Sequence, residues 1–186
     1  MPDLLSIHRQ SLESWRGAMN LVGPGAIDEH YLDAERALSG LDRLGVAFVG
    51  DWADLGSGAG FPGIVFAARY PAARLDLIES RRKRCTFLEH VLGQAGVRKD
   101  QVHVRCERVE DLQDRSYDGI LARAFLPPDQ VLVHAARLLV PGGLAVLFLS
   151  TDQALPAHPA FTVAHQAAYD VGGRSRQVVA FARSAT

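Results

Sequence analysis

Asp54-Leu55-Gly56-Ser57-Gly58-Ala59-Gly60-Phe61-Pro62-Gly63 is the stretch that decides how this chain folds. Apolar residues lead into it through Trp52 and Ala53, and Ile64-Val65-Phe66-Ala67-Ala68 resumes an apolar pattern of helical type after it. That succession predicts a strand, a glycine loop and a helix. Glycines in such a loop let backbone N–H groups approach a ligand where a side chain would collide, and the helix that follows points its N-terminus at the same ligand. The stretch is therefore expected to cradle a nucleotide-like cofactor.

Two cofactor classes fit it, beside a plain structural turn. Gly58-Ala59-Gly60-Phe61-Pro62-Gly63 satisfies the dinucleotide pattern G-x-G-x-x-G, and Glu79, about twenty residues further on, suits a ribose. The other register starts at Asp54, two places ahead of Gly56, and runs Gly-x-Gly-x-Gly through Gly60. It resembles the first motif of S-adenosylmethionine-dependent methyltransferases. Their cofactor is cationic and lacks phosphate, so its loop needs backbone room and an acidic neighbour more than a phosphate nest. On that reading Asp54, Gly56, Ser57, Gly58 and Gly60 hold S-adenosylmethionine. No Lys-Ser/Thr follows Gly63, which excludes a P-loop, and Ser57 is flanked directly by glycines, which does not fit a nucleophile elbow.

At 186 residues and 48% apolar composition, one domain spanning 1–186 with a proper core is expected. It divides into an N-terminal helical extension over 1–45 and an α/β core over 46–186. The formal net charge is −1, so the total does not announce nucleic acid, but cations cluster at Arg81-Arg82-Lys83-Arg84, at Arg105 and Arg108, and at Arg174 and Arg176. Each cluster reads either as a solvated face or as a phosphate contact. With neither a leader nor a membrane-length apolar run, a cytoplasmic protein and no membrane partner are expected. Cys85 and Cys106 are expected to be free thiols, and seven scattered histidines without H-x-x-x-H spacing predict no catalytic metal.

Leu4, Leu5, Ile7, His8, Leu12 and Trp15 recur at helical spacing, and residues 19–25 break that helix. A second helix is expected from near Asp28, as N-cap, to Gly40, turning Tyr31-Leu32 and Leu38 to the core. This pair is either a lid or packing. Strand and helix then alternate, implying a mostly parallel sheet. Strands are expected to end at Asp54 and Glu79 and to run over 101–105, 117–122 and 144–149. Glu79 lies beside the glycine loop, where its carboxylate suits both ribose hydroxyls. Ser80 suits the cap of a helix whose first turn holds Arg81, Arg82, Lys83 and Arg84. Four cations there oppose the macrodipole, so either Glu79 or a phosphate backbone compensates them. Val109 and Glu110, after the third strand, suit an adenine ring and its amino group, and Arg123 and Phe125 leave the fourth strand over the transferred group. A helix over 131–140, stopped by Pro141-Gly142-Gly143, precedes the fifth strand, a succession common in methyltransferases. Residues 161–164 and 177–181 are expected to pair as a hairpin around Gly172-Gly173.

With these residues laid out, the chain resembles the bacterial family once called glucose-inhibited division protein B, which methylates guanine N7 in 16S ribosomal RNA. The likeness runs through Asn20-Leu21, His30-x-x-Leu32-Asp33, Asp54 to Gly63, Glu79-Ser80, Lys83-Arg84-x-x-Phe87-Leu88, Arg108-Val109-Glu110 and Arg123-Ala124-Phe125. It implies a class I, Rossmann-like fold with a seven-stranded sheet and helices on both faces. It also implies S-adenosylmethionine contact by Gly56, Phe61, Val109, Glu110 and Arg123, and small-subunit RNA or the ribosomal particle as partner of a monomer. Two positions depart from the family pattern. Phe148-Leu149-Ser150 stands where Leu-Lys-Gly is usual, and Gln177 follows Arg176 where histidine is common.

Guanine N7 carries no proton, so its methylation needs alignment rather than a general base. Arg123 suits guanine O6 or the ordering of the cofactor pocket, and Phe125 suits stacking on an extruded base. Arg81, Arg82, Lys83, Arg84 and Arg108 are the candidate RNA contacts. Methylation of another RNA or a small molecule, and a non-catalytic RNA-binding role, are the alternatives.

Overall fold

The computed structural model describes residues 3–15, 27–43, 45–114 and 117–185. Helices α1 (Leu4–Trp15) and α2 (Ile27–Arg43) precede an alternation of β1 (Gly50–Leu55), α3 (Gly63–Arg69), β2 (Ala73–Ile78), α4 (Arg82–Gln94), β3 (Val102–Arg105), β4 (Tyr117–Arg123), α5 (Pro128–Leu138) and β5 (Leu139–Ser150). Strands β6 (Phe161–Val171) and β7 (Arg174–Arg183) close the chain. The seven strands form one sheet in the order β3-β2-β1-β4-β5-β7-β6. The first five run parallel, while β7 is antiparallel to both β5 and β6. Leu55 pairs with Ile78 on one side and Ala122 on the other, so β1, β2 and β4 deliver their carboxyl ends to one level.

Each sheet face carries its own core. Leu12, Tyr31, Leu38, Phe66, Phe87 and Leu88 pack α1 to α4 against one face, and Leu132, Ala135 and Leu138 of α5 pack on the other. Central β1 and β4 are therefore buried on both faces over Trp52 to Leu55 and Gly119 to Ala122, where Asp54 is the one charged residue. Helix α2 crosses the β6–β7 hairpin, and Gly40 permits the approach: a Cβ there would lie 2.9 Å from the Ala167 Cβ. The hairpin turns at Gly172-Gly173, both at positive φ (56° and 70°), the conformation a two-residue turn of matching twist requires.

Several local expectations are corrected. The break at 19–25 and the Asn20-Leu21 pair lie outside the described residues. Asp28 sits inside the first turn of α2 rather than capping it, the helix runs on to Arg43, and Leu32 stays exposed. The helix expected over 131–140 ends at Leu138, and Pro141-Gly142-Gly143 lies within β5. Leu139 already pairs with Tyr117, and the chain bulges before Leu144 pairs with Gly119, with Gly142 at φ 80° taking the strain-free positive value. Cys85 and Cys106 are not free but joined, their Cα atoms 5.8 Å apart. The first turn of α4 and the end of β3 lie side by side, a proximity that no spacing along the chain announces.

Candidate active site

The glycine loop leaves β1 at the point where strand order reverses between β2 and β4, which is where open parallel sheets hold ligands. It is pinned from several sides. The Ser57 amide donates to the Ile78 carbonyl at 2.9 Å, the Gly60 amide to the Ser57 carbonyl at 2.7 Å, and the Ser57 hydroxyl to the Asp54 carbonyl at 2.9 Å. Beside it opens a cleft of about 290 Å³, lined by Gly56, Glu79, Arg81, Arg84, Arg108, Val109, Glu110 and Phe125 among others. A hollow of about 360 Å³ lies at the other end of the sheet, among Asp51, Arg74, Asp76, His103 and Tyr117. That end carries the amino termini of the strands, so the cleft at the glycine loop is the candidate.

Glu79 organises the cleft. Its side chain is 5% exposed, its Oε2 accepts from the Gly58 amide at 3.0 Å, and its Oε1 accepts from the Arg81 amide at 2.7 Å. The Arg84 guanidinium stands 3.7 Å from Oε2. Ser80 therefore does not cap α4: Arg81 occupies the N-cap position without a side-chain cap bond, and Glu79 accepts its amide instead. The same carboxylate answers the four clustered cations, because it lies two residues before their run and at the helix N-terminus. Each of its oxygens has a second lone pair, enough for a ribose diol. Gly56 has φ 69°, and a Cβ there would fall 2.1 Å from the Phe125 ring, so the ring rests directly on the loop. Ala124, just before it, holds φ 51°, a rare value for a residue with a side chain. Acid for a ribose, apolar Val109 and Phe125 for a ring, and side-chain-free backbone at Gly56 fit S-adenosylmethionine.

The other candidates lie around the cleft rather than in its lining. Asp54 is under the loop, where its Oδ2 accepts from the Gly63 amide at 3.1 Å and fixes the start of α3. Gly58 reaches the cleft through Glu79, whereas Gly60 faces Ile64, His8 and Leu88 on the packed side. Phe61 is buried among His8, His30 and Tyr31. Arg123 turns to α2: its Nη1 donates to Asp33 Oδ2 at 2.9 Å, its Nη2 lies 3.3 Å from His30 Nδ1, and its guanidinium stacks 5.2 Å from the Phe61 ring centroid. Arg82 and Lys83 are exposed on the first turn of α4. Sequence reasoning missed Asp33 and His8 as site residues. The available signal was a polar residue on an otherwise apolar helix face.

Burial pushes the Asp54 carboxyl up to about 7, and its Oδ1 has no hydrogen-bond partner among the described residues. The folded value thus exceeds the ordinary 3.8, so between the two the folded protein keeps a proton that the unfolded chain has released. Stability from that proton is whole below the ordinary value and lost as pH rises through about 7. Urea unfolding at several pH values is expected to show wild type losing stability from pH ~4 to pH ~7 relative to Asp54→Asn, with a slope of at most about 1.4 kcal/mol per unit. Parallel pH profiles for the two proteins would contradict this.

Residues 2–168 match the protein family described as rRNA small subunit methyltransferase G. The chain is 49% identical over 86 residues to the ribosomal RNA small subunit methyltransferase G of Rhizorhabdus wittichii, covering 46% of this chain and 39% of that protein. It is 32% identical over 145 residues to the protein of that name in Paracoccus denitrificans, covering 77% and 73%. The fold is also that of magnesium protoporphyrin IX methyltransferase from Synechocystis, a structure with bound SAM, at TM-score 0.62 and 14% identity over 99% of this chain and 98% of that one. The helix pair, the switch-point loop and the Glu79 clasp thus stand in the class I methyltransferase fold, and the chain belongs to the rRNA small subunit methyltransferase G family.

Proposed function

We propose that this chain transfers a methyl group from S-adenosylmethionine to N7 of a guanine in 16S ribosomal RNA. It acts as a cytoplasmic monomer, one domain over 1–186, on small-subunit RNA or the ribosomal particle. Among the described residues no helix is long and apolar enough to cross a membrane. The observation that carries the reading is Glu79, buried at the mouth of β2 and facing the same cleft as Gly56 and Val109. Glu79 holds the ribose, Val109 the adenine face, and Glu110 its amino group. Arg81, Arg84 and Arg108 line that cleft, so the phosphates of a substrate strand meet cations where the cofactor lies.

S-adenosylmethionine supplies a sulfonium methyl, which N7 takes with its lone pair while the sulfur keeps the bonding electrons and no proton is removed. The protein's task is alignment and exclusion of water. Phe125, seated on the loop, supplies a stacking face for the base. Arg123, held by Asp33, supports the ordering role more than a direct bond to guanine O6. The test is chemical cleavage at 7-methylguanosine in 16S RNA from cells with and without the gene. Loss of one cleavage site on deletion, restored by the purified chain with S-adenosylmethionine, is expected. An unchanged pattern removes the RNA assignment. Substrate binding is further expected to weaken steeply with salt, as phosphate contacts require.

A further inference from the structure

His8 is the one histidine of α1 and is fully buried, in the interface where α1 packs on α3 and α4. Its ring lies between Phe61, Phe87 and Tyr31. Its two nitrogens are both engaged: Nε2 is 2.7 Å from the Ala59 carbonyl oxygen, and Nδ1 is 2.7 Å from the Tyr31 hydroxyl. A carbonyl can only accept, so Nε2 carries the proton and donates. Nδ1 is then the acceptor, and the Tyr31 hydroxyl donates to it. Burial holds the ring's pKa down at about 4, so this neutral tautomer is the working form.

Ala59 is the middle of the glycine loop. On its cleft side the neighbouring Gly58 amide is held by Glu79 at 3.0 Å, and on its packed side its carbonyl is held by His8. Gly60, at φ 102°, lets the imidazole come close: a Cβ there would lie 3.1 Å from Nε2. The loop is therefore gripped from front and back by two side chains that come from different parts of the chain. Without the rear grip a buried carbonyl loses a hydrogen bond, and the Ala59–Gly60 peptide keeps only the bond from the Gly60 amide to the Ser57 carbonyl to set its tilt.

We infer that His8 is a positioning residue of the cofactor loop: its Nε2–H fixes the Ala59 carbonyl, Tyr31 fixes its tautomer, and the two N-terminal helices thereby set how Gly58 and Glu79 meet the cofactor. This rests on the reading of the cleft as a site for S-adenosylmethionine. It gives α1 and α2 a part in binding that neither a lid nor plain packing describes.

The test uses the full chain and S-adenosylmethionine itself. His8→Phe keeps the ring volume and removes the donor, His8→Gln restores a neutral donor, and Tyr31→Phe removes the group that selects the tautomer. Calorimetry is expected to give a Kd about tenfold weaker for His8→Phe, the size of one net hydrogen bond, and about threefold weaker for Tyr31→Phe, with His8→Gln within about threefold of wild type. The KM for the cofactor should rise with the Kd while kcat at saturating cofactor stays within about twofold. If His8→Phe melts earlier yet binds as wild type does, His8 only packs and the inference is overturned. Tyr31→Phe and His8→Gln read the same question should His8→Phe fail to fold: equal affinity in Tyr31→Phe and a loss in His8→Gln would also overturn it. Should wild type itself bind no S-adenosylmethionine, the cleft has been misread, and that failure is separate from a normal wild type with unchanged variants.

Discussion

Glu79→Ala is expected to weaken S-adenosylmethionine binding by a hundredfold or more. Two hydroxyls of one ribose donating to an ionised carboxylate are worth about 1.5 kcal/mol each at the low end, and about 3 kcal/mol together exceeds a factor of a hundred in Kd. The same change frees the Gly58 and Arg81 amides that the carboxylate now holds at 3.0 and 2.7 Å. It also leaves the cationic first turn of α4 facing its own helix dipole without an anion. Glu79→Gln keeps one acceptor oxygen and loses the charge, so its Kd should fall between the two. Calorimetry on the three proteins decides: affinity in Glu79→Ala within threefold of wild type would remove the ribose from this position. A melting temperature lowered in Glu79→Ala but restored in Glu79→Gln would separate the capping role from the clasp.

Asp33→Ala is expected to cost the most stability of any single change at the site. Asp33 of α2 is 4% exposed and lies among groups from three strands: Arg123 of β4 at 2.9 Å, the Tyr169 hydroxyl of β6 at 2.9 Å and Arg176 of β7 at 3.7 Å. Deleting one partner of a buried pair leaves the other desolvated and alone, at about 3–5 kcal/mol. For a chain of this size each kcal/mol moves Tm by about 2–4 °C, so a fall on the order of ten degrees is expected. Arg123→Ala in the same background should cost little more, since the charge left unpaired is then gone. Full additivity of the two changes, measured by thermal unfolding, would show that Arg123 and Asp33 do not act as a unit. Their coupling bears on function too. An Arg123 spent on Asp33, with Phe61 beneath its guanidinium, braces the mouth of β4 beside the cleft.

The contrast between Glu79 and Asp33 shows what was legible. Glu79 announced itself because a strand that alternates, ends in an acid and follows a glycine loop by one crossover can put that acid in only one place. Asp33 and His8 carry no such signature. Each is one polar residue on an amphipathic helix, and its partners lie 90 residues away for Arg123 and 51 for Ala59. The Ser80 cap was a sound local expectation overruled at close range, because the buried carboxylate one residue earlier reached the Arg81 amide.

By itself the sequence determined the alternation of strands and helices, the loop at the end of β1, the carboxylate at the end of β2 and the closing hairpin at Gly172-Gly173. All of these are encoded within a few residues by periodicity, glycine freedom and the hand of the crossover. Only the tertiary structure joined Cys85 to Cys106, turned Arg123 to Asp33 and set His8 behind Ala59. It also made one change of two: Leu149 and Gln177, the positions that depart from the family pattern, face each other across β5 and β7, and the Gln177 amide donates to the Ser150 carbonyl at 3.0 Å. The physical reason is the same in each case. Local pattern fixes which face of an element is apolar, whereas the partner of a polar group is chosen by how elements distant in sequence come to lie together.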